Sequence, residues 1–161
     1  MDKISTNLWF DGTAEQAANF YIDLFPNSRI DRIMRAPLDT PDPSVRKGDV
    51  LFVEFTLAGR RFSGLNGGPA FPLTEAVSLV IDCADQKEVD HYWKALTANG
   101  GSESECGWCK DRFGLSWQVT PRRLLDLMTS PDRATAERAM AAMMTMKKID
   151  IAALEAAVKT K

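Results

Sequence analysis

The stretch Thr13 to Leu24, TAEQAANFYIDL, is matched by a second, Asp85 to Leu96, DQKEVDHYWKAL, at a shift of 72 residues. Thr13 falls on Asp85, and both residue types cap helices. Gln16 falls on Glu88, the third position after each cap, where a capping box closes. Ala17, Phe20, Tyr21 and Leu24 form one apolar stripe at helical spacing; Val89, Tyr92, Trp93 and Leu96 form the other. Continued backwards at the same shift, Leu8 falls on Val80 and Trp9 on Ile81. An internal repeat governs the whole fold reading, because each copy must be one structural unit.

Working outward, the first copy opens with a strand from Ile4 to Phe10, closed by Asp11-Gly12. Arg29 to Ala36 reads as a strand and proline-rich Pro37 to Gly48 as a loop. Asp49 to Leu57 and Arg60 to Asn66 pair as a hairpin about Ala58-Gly59. The second copy has strands at Ala76 to Asp82, Ser102 to Cys106, Gly107 to Lys110 and Leu115 to Thr120. Helices follow from Pro121 to Met128, from Ser130 to about Lys147, and after Asp150. The expected fold is α+β: two paired βαβββ modules around a shared cleft, plus C-terminal helices. We expect one domain over 1–161, with module one at about 1–68, module two at about 75–120 and the helical tail at about 121–161.

Composition is that of a globular protein: 45% hydrophobic and 26% charged residues. The net charge of -2 and the absence of a basic block argue against a nucleic-acid partner. No apolar run has the roughly 20 residues a membrane span needs. Met1-Asp2-Lys3 shows no charged-then-apolar leader, so a cytoplasmic protein is expected. Three cysteines, Cys83, Cys106 and Cys109, cannot all pair within one chain, which suits a reducing compartment.

Strand residues alternate between faces. Val77, Leu79 and Ile81 form a face for the helix, which turns Ser78, Val80 and Asp82 the other way. Ser116, Gln118 and Thr120 similarly oppose Leu115, Trp117 and Val119. The 72-residue shift places Thr6 with Ser78. Phe62, Gly64 and Asn66 group together, as do Phe52, Glu54 and Thr56. The expected cleft is therefore lined by Thr6, Phe52, Glu54, Phe62, Asn66, Ser78, Ser116 and Gln118. Asn7 is the misfit, because this assignment turns an amide toward the helix.

Several motifs together carry a resemblance. Asn7-Leu8-Trp9-Phe10-Asp11-Gly12, Ala14-Glu15-Gln16-Ala17, Leu65-Asn66-Gly67-Gly68-Pro69, Cys106-Gly107-Trp108, Asp111-Arg112-Phe113-Gly114 and Met146-Lys147-Lys148-Ile149-Asp150 are distributed over nearly the whole chain. With them the sequence resembles the PhnB-like branch of the vicinal oxygen chelate (glyoxalase/bleomycin-resistance) superfamily. Its members often carry the name 3-demethylubiquinone-9 3-methyltransferase. The resemblance implies paired βαβββ modules and a homodimer. It also implies four metal-ligand positions, which fall on Thr6, Asn66, Ser78 and Gln118. None is an imidazole or carboxylate, so a divalent metal is not expected, nor any other cofactor. No glycine-rich strand-to-helix loop accompanies the methyltransferase name.

The expected function is binding of a small apolar or aromatic molecule in a metal-free cleft. Two alternatives stand beside it. A metal-dependent lyase or isomerase would use Gln118, Glu54 and water, with Glu54 the candidate catalytic base. A thiol redox protein would use Cys106 and Cys109, spaced as Cys-x-x-Cys. The lone His91 lies on the polar side of its helix and reads as a surface residue.

Overall fold

The computed structural model describes residues 3–41 and 43–159. The chain divides into two compact units, residues 1–73 and 74–161. The first runs β1 (Thr6–Phe10), α1 (Ala14–Leu24), β2 (Arg29–Arg35), β3 (Val50–Leu57) and β4 (Arg60–Asn66). Its sheet has the order β1-β4-β3-β2. β1 and β4 are parallel and the other pairs antiparallel. At the β3–β4 turn Ala58 and Gly59 both have positive φ, 47° and 79°. That mirror-image turn matches the right-handed strand twist.

Helix α1 buries Ala14, Ala17, Ala18 and Tyr21. Tyr21 lies 6.3 Å from the Phe55 ring, and Phe55 stacks on Phe62 at 5.6 Å. The small alanines let the helix sit close. At Gly64 even a Cβ would lie 3.2 Å from Ala14 Cβ and from the Phe10 ring. The helix start differs from expectation, since Thr13 makes no side-chain cap hydrogen bond. Asn66, from the end of β4, caps the helix instead: the Ala14 N–H donates to its Oδ1 at 2.9 Å.

The second unit repeats the order: β5 (Ser78–Cys83), α2 (Gln86–Thr97), β6 (Ser102–Glu103), β7 (Trp108–Lys110) and β8 (Ser116–Pro121). Its sheet order is β5-β8-β7-β6, again with one parallel pair, β5–β8. The α+β architecture of two βαβββ modules is thus present. Here the cap forms as read, while the reciprocal bond of the box reaches one residue further back, to Ala84 instead of Asp85. Asp85 Oδ1 accepts from Glu88 N–H at 2.9 Å, and Glu88 accepts from Ala84 N–H at 2.7 Å. Val89, Trp93 and Leu96 are buried on the predicted stripe.

Three helices follow, α3 (Arg122–Met128), α4 (Arg133–Met143) and α5 (Ile151–Lys159). Asp132 and Asp150 cap the last two. Leu124, Leu127, Ala139, Ile149 and Leu154 form their core, with Met143 and Met146 packed against it. The helix expected to reach about Lys147 ends at Met143. There the i to i−4 ladder tightens into i to i−3 bonds, from Thr145 N–H to Ala142 C=O at 3.1 Å and from Met146 N–H to Met143 C=O at 2.9 Å. Beyond it, Met146 and Lys147 C=O accept from the N–H groups of Cys106 and Gly107, each at 2.7 Å. The tail thereby joins the turn before β7. No helix among the described residues is long and apolar enough to cross a membrane.

Candidate functional site

Each sheet has one face against its helix and one face turned away. In the first unit, strand register assigns these faces. β2, β3, β4 and β1 place Arg32, Glu54, Ser63 and Asn7 in one row across the sheet. The next row holds Met34, Phe52, Leu65 and Trp9. On the other side of Glu54 lie Arg29, Thr56 and Arg61. These rows form the open face, because the alternating set, Phe55, Phe62 and Gly64, packs toward α1.

Phe52 and Glu54 therefore lie on the open face, as expected. Thr6 and Asn66 do not, and their assignment is corrected; Phe62 pairs on the helix side but also lines the depression with Glu54 and Thr56. Thr6 pairs in register with Phe62, on the helix side. Asn66 is 5% exposed and both ends of its amide are used: Oδ1 accepts from Ala14 N–H, and Nδ2 donates to Val50 C=O at 2.9 Å. It is a structural clamp. The misfit Asn7 is resolved by the same register. It faces away from the helix and accepts from Ser63 Oγ at 2.8 Å.

The row of Trp9 is built tightly. Trp9 Nε1–H donates to Gly68 C=O at 2.8 Å, and Phe71 meets the indole edge-on at 4.9 Å. Gly67 must be glycine, because a Cβ there would lie 2.2 Å from the indole. Glu54 is held by Arg32 Nε at 2.9 Å, so the candidate base is an ion-pair partner.

In the second unit the three expected residues share one face. Ser78 pairs with Ser116, and Gln118 stands beside them, with Trp108 its register partner on β7. Gln118 Nε2 donates to Ser78 Oγ at 2.9 Å. Ser116 Oγ is buried without a hydrogen-bond partner among the described residues. A buried hydroxyl left so carries a desolvation cost that a bound polar group would relieve.

Behind this face, buried Asp111 organises the turn Asp111-Arg112-Phe113-Gly114. Its Oδ1 accepts from Phe113 and Leu115 N–H, and its Oδ2 from Trp117 Nε1–H at 2.8 Å. Cys109 pairs in register with Trp117 on the helix side. Burial pushes its thiol pKa up to about 12, and Cys83 likewise. A thiol so protonated is a poor nucleophile. Cys106 sits in the preceding turn with φ 57°. His91 is exposed and touches Tyr92.

A divalent transition metal favours imidazole, thiolate or carboxylate ligands. The four positions expected for one supply hydroxyls and amides, and the amide oxygen of Asn66 already accepts from Ala14 N–H. Among the described residues no three His, Cys, Asp or Glu side chains converge. This donor set does not fit such a metal.

Sequence reasoning missed Asn7, Trp9, Ser63, Leu65 and the arginines of the open face. Asn7 itself was the available signal, being an amide that the assumed register left with no partner.

Comparison with known proteins adds the following. The family described as 3-demethylubiquinone-9 3-methyltransferase matches residues 2–120, from before β1 to the penultimate residue of β8. A solved structure from Bacillus cereus, described as a PhnB protein of that type, is 33% identical, with a TM-score of 0.66. The match covers 74% of this chain and 99% of that one. A protein from Pseudomonas aeruginosa is 20% identical with a TM-score of 0.60, covering 75% of this chain and 98% of that one, and supports the fold alone. No curated protein matches.

Proposed function

The chain belongs to the 3-demethylubiquinone-9 3-methyltransferase family, with the PhnB-like glyoxalase fold, and from that premise we propose that it binds a small, largely apolar or aromatic molecule without a metal. The observation that carries this reading is the row Met34, Phe52, Leu65 and Trp9 on the open face of module one. It offers aromatic and aliphatic surface beside hydrogen-bonding groups on Asn7 and Ser63. A few placed polar groups among apolar ones is the usual make-up of a small-molecule site.

Methyl transfer is not carried over with the family name. Gly67-Gly68 leads into Pro69 rather than a helix, and it serves the packing of Trp9. Neither alternative activity is favoured. Glu54 is ion-paired, and the Cys109 thiol is buried and protonated.

The test is titration of a neutral two-ring probe, naphthylbutanamide, into metal-stripped protein, followed by tryptophan fluorescence. Saturable binding that is weakened about tenfold or more by Phe52→Ser is expected, the loss of one aromatic contact being worth that much. Binding that requires added zinc, nickel or iron would overturn the metal-free reading.

A further inference from the structure

The open face of module one is graded in charge along its strands, and we infer that the molecule held there is an amphipathic acid, an apolar or aromatic body carrying a carboxylate-type head group. The inference rests on the reading that this face binds an apolar molecule, and it names the second half of the ligand.

Three successive rows supply the gradient. The Met34–Phe52–Leu65–Trp9 row is apolar. The Arg32–Glu54–Ser63–Asn7 row is polar and internally neutralised, through the Arg32–Glu54 ion pair at 2.9 Å. The last row sets Arg29 and Arg61 on either side of Thr56. A bulge between Ile30 and Arg32 shapes this end. Asp31 accepts from Thr56 Oγ1 at 2.7 Å and pairs with Arg29 Nε at 2.8 Å, which holds the guanidinium over the sheet. Bulges commonly re-aim side chains in this way.

These residues border a depression of ≈ 460 Å³, lined by Arg29, Arg32 and Arg61 against Asp31 and Glu54. An adjoining depression of ≈ 390 Å³ shares Ser5, Arg61 and Phe62 with it and adds Lys3 and Arg60. Cations outnumber carboxylates around both depressions, three to two in the first, which Phe52 also lines, and three to none in the second. Arginine matches a carboxylate through charge-assisted, forked hydrogen bonds. From Thr56 to Phe52 is four residues of strand, about 14 Å at the usual rise. That span suits a two-ring body joined to its acid by a short spacer.

The experiment compares naphthylbutanoate with its neutral amide, naphthylbutanamide, on the full chain, by tryptophan fluorescence at low and high salt. The acid is expected to bind about tenfold more tightly, one charge-assisted contact being worth about that factor. That preference should shrink as salt rises. In Arg29→Gln/Arg61→Gln the ratio of acid to amide affinity should fall to about one. Equal affinity for both probes, or a preference insensitive to salt and to the arginine changes, would overturn the inference and leave the apolar-binding reading intact. Binding of neither probe would overturn both. The salt series on the unaltered protein decides the matter even if the double variant fails to fold.

Discussion

Ser63 Oγ donates a 2.8 Å hydrogen bond to Asn7 Oδ1 across the parallel pair β1–β4. That bond fixes which face of the first sheet is open. It follows that Asn7 and Trp9 belong with Phe52 and Glu54, and that Thr6 and Asn66 belong to the framework.

Asn66 should then behave as a stabilising residue. Asn66→Ala leaves the Ala14 N–H and Val50 C=O without their partner and is expected to cost about 2–4 kcal/mol, the sum of two buried groups losing their hydrogen bonds. Thr13→Ala, at a position with no cap bond, should change stability by less than about 0.5 kcal/mol. Urea denaturation of the two variants checks both values.

Gly67→Ala should displace the indole of Trp9, since the new Cβ would lie 2.2 Å from it. Overpacking of this kind costs about 1–3 kcal/mol. A shift in tryptophan emission, with weaker probe binding, is the expected readout. Unchanged emission would contradict the packing described.

The buried thiols make a prediction about pH. Cys83 and Cys109 are each raised from an ordinary value of 9.0 to about 12 by burial. The unfolded chain loses these protons first, so the folded state binds more protons between those values. Stability from this source is complete below about pH 9 and falls as pH rises toward 12. Chemical denaturation across that window should show the decline, and Cys109→Ala should reduce its slope. At neutral pH a thiol reagent should leave both residues unmodified until the protein unfolds.

The C-terminal helices lie beyond the family match at residues 2–120, yet they are fastened to module two. Gln86 Nε2 donates to Ile149 C=O at 3.1 Å, and Gln86 Oε1 accepts from Ile151 N–H at 2.9 Å. The Ile149 side chain is fully buried. Ile149→Ala should cost about 2–5 kcal/mol, as fully buried isoleucines do. Calorimetry that shows the tail melting separately, without effect on module two, would contradict this attachment.

The fold was legible because helix signals are local. The caps at Asp85 and Asp150 form where chain chemistry placed them, α2 buries Val89, Trp93 and Leu96 of its stripe, and α1 buries Ala17 and Tyr21 of its own with Ala14 and Ala18 beside them. Strand faces were less legible, because they depend on a count that loops can change. Three residues, 11–13, separate β1 from α1, whereas two, Ala84 and Asp85, separate β5 from α2. The helices therefore match at a shift of 72. The strands match at 73, with Leu8 on Ile81 and Phe10 on Cys83, the buried pairs of each sheet. A slip of one residue exchanges the faces of a strand, and Thr6 was set against Ser78 for that reason, where the count of 73 places Ser5. The bulge at Asp31 and the backbone bonds from Cys106 and Gly107 to the tail carry no side-chain signature, so neither could be read beforehand.

Nuclear magnetic resonance of the protein with bound probe reads the open face of module one residue by residue. With saturating naphthylbutanamide, the Trp9 indole, the Leu65 methyls and the Phe52 ring should shift, while the Asn66 amide and the buried Tyr21 ring of α1 stay in place. Shifts at Asn66 and Tyr21 with Trp9 and Phe52 unmoved would contradict the assignment of the open face.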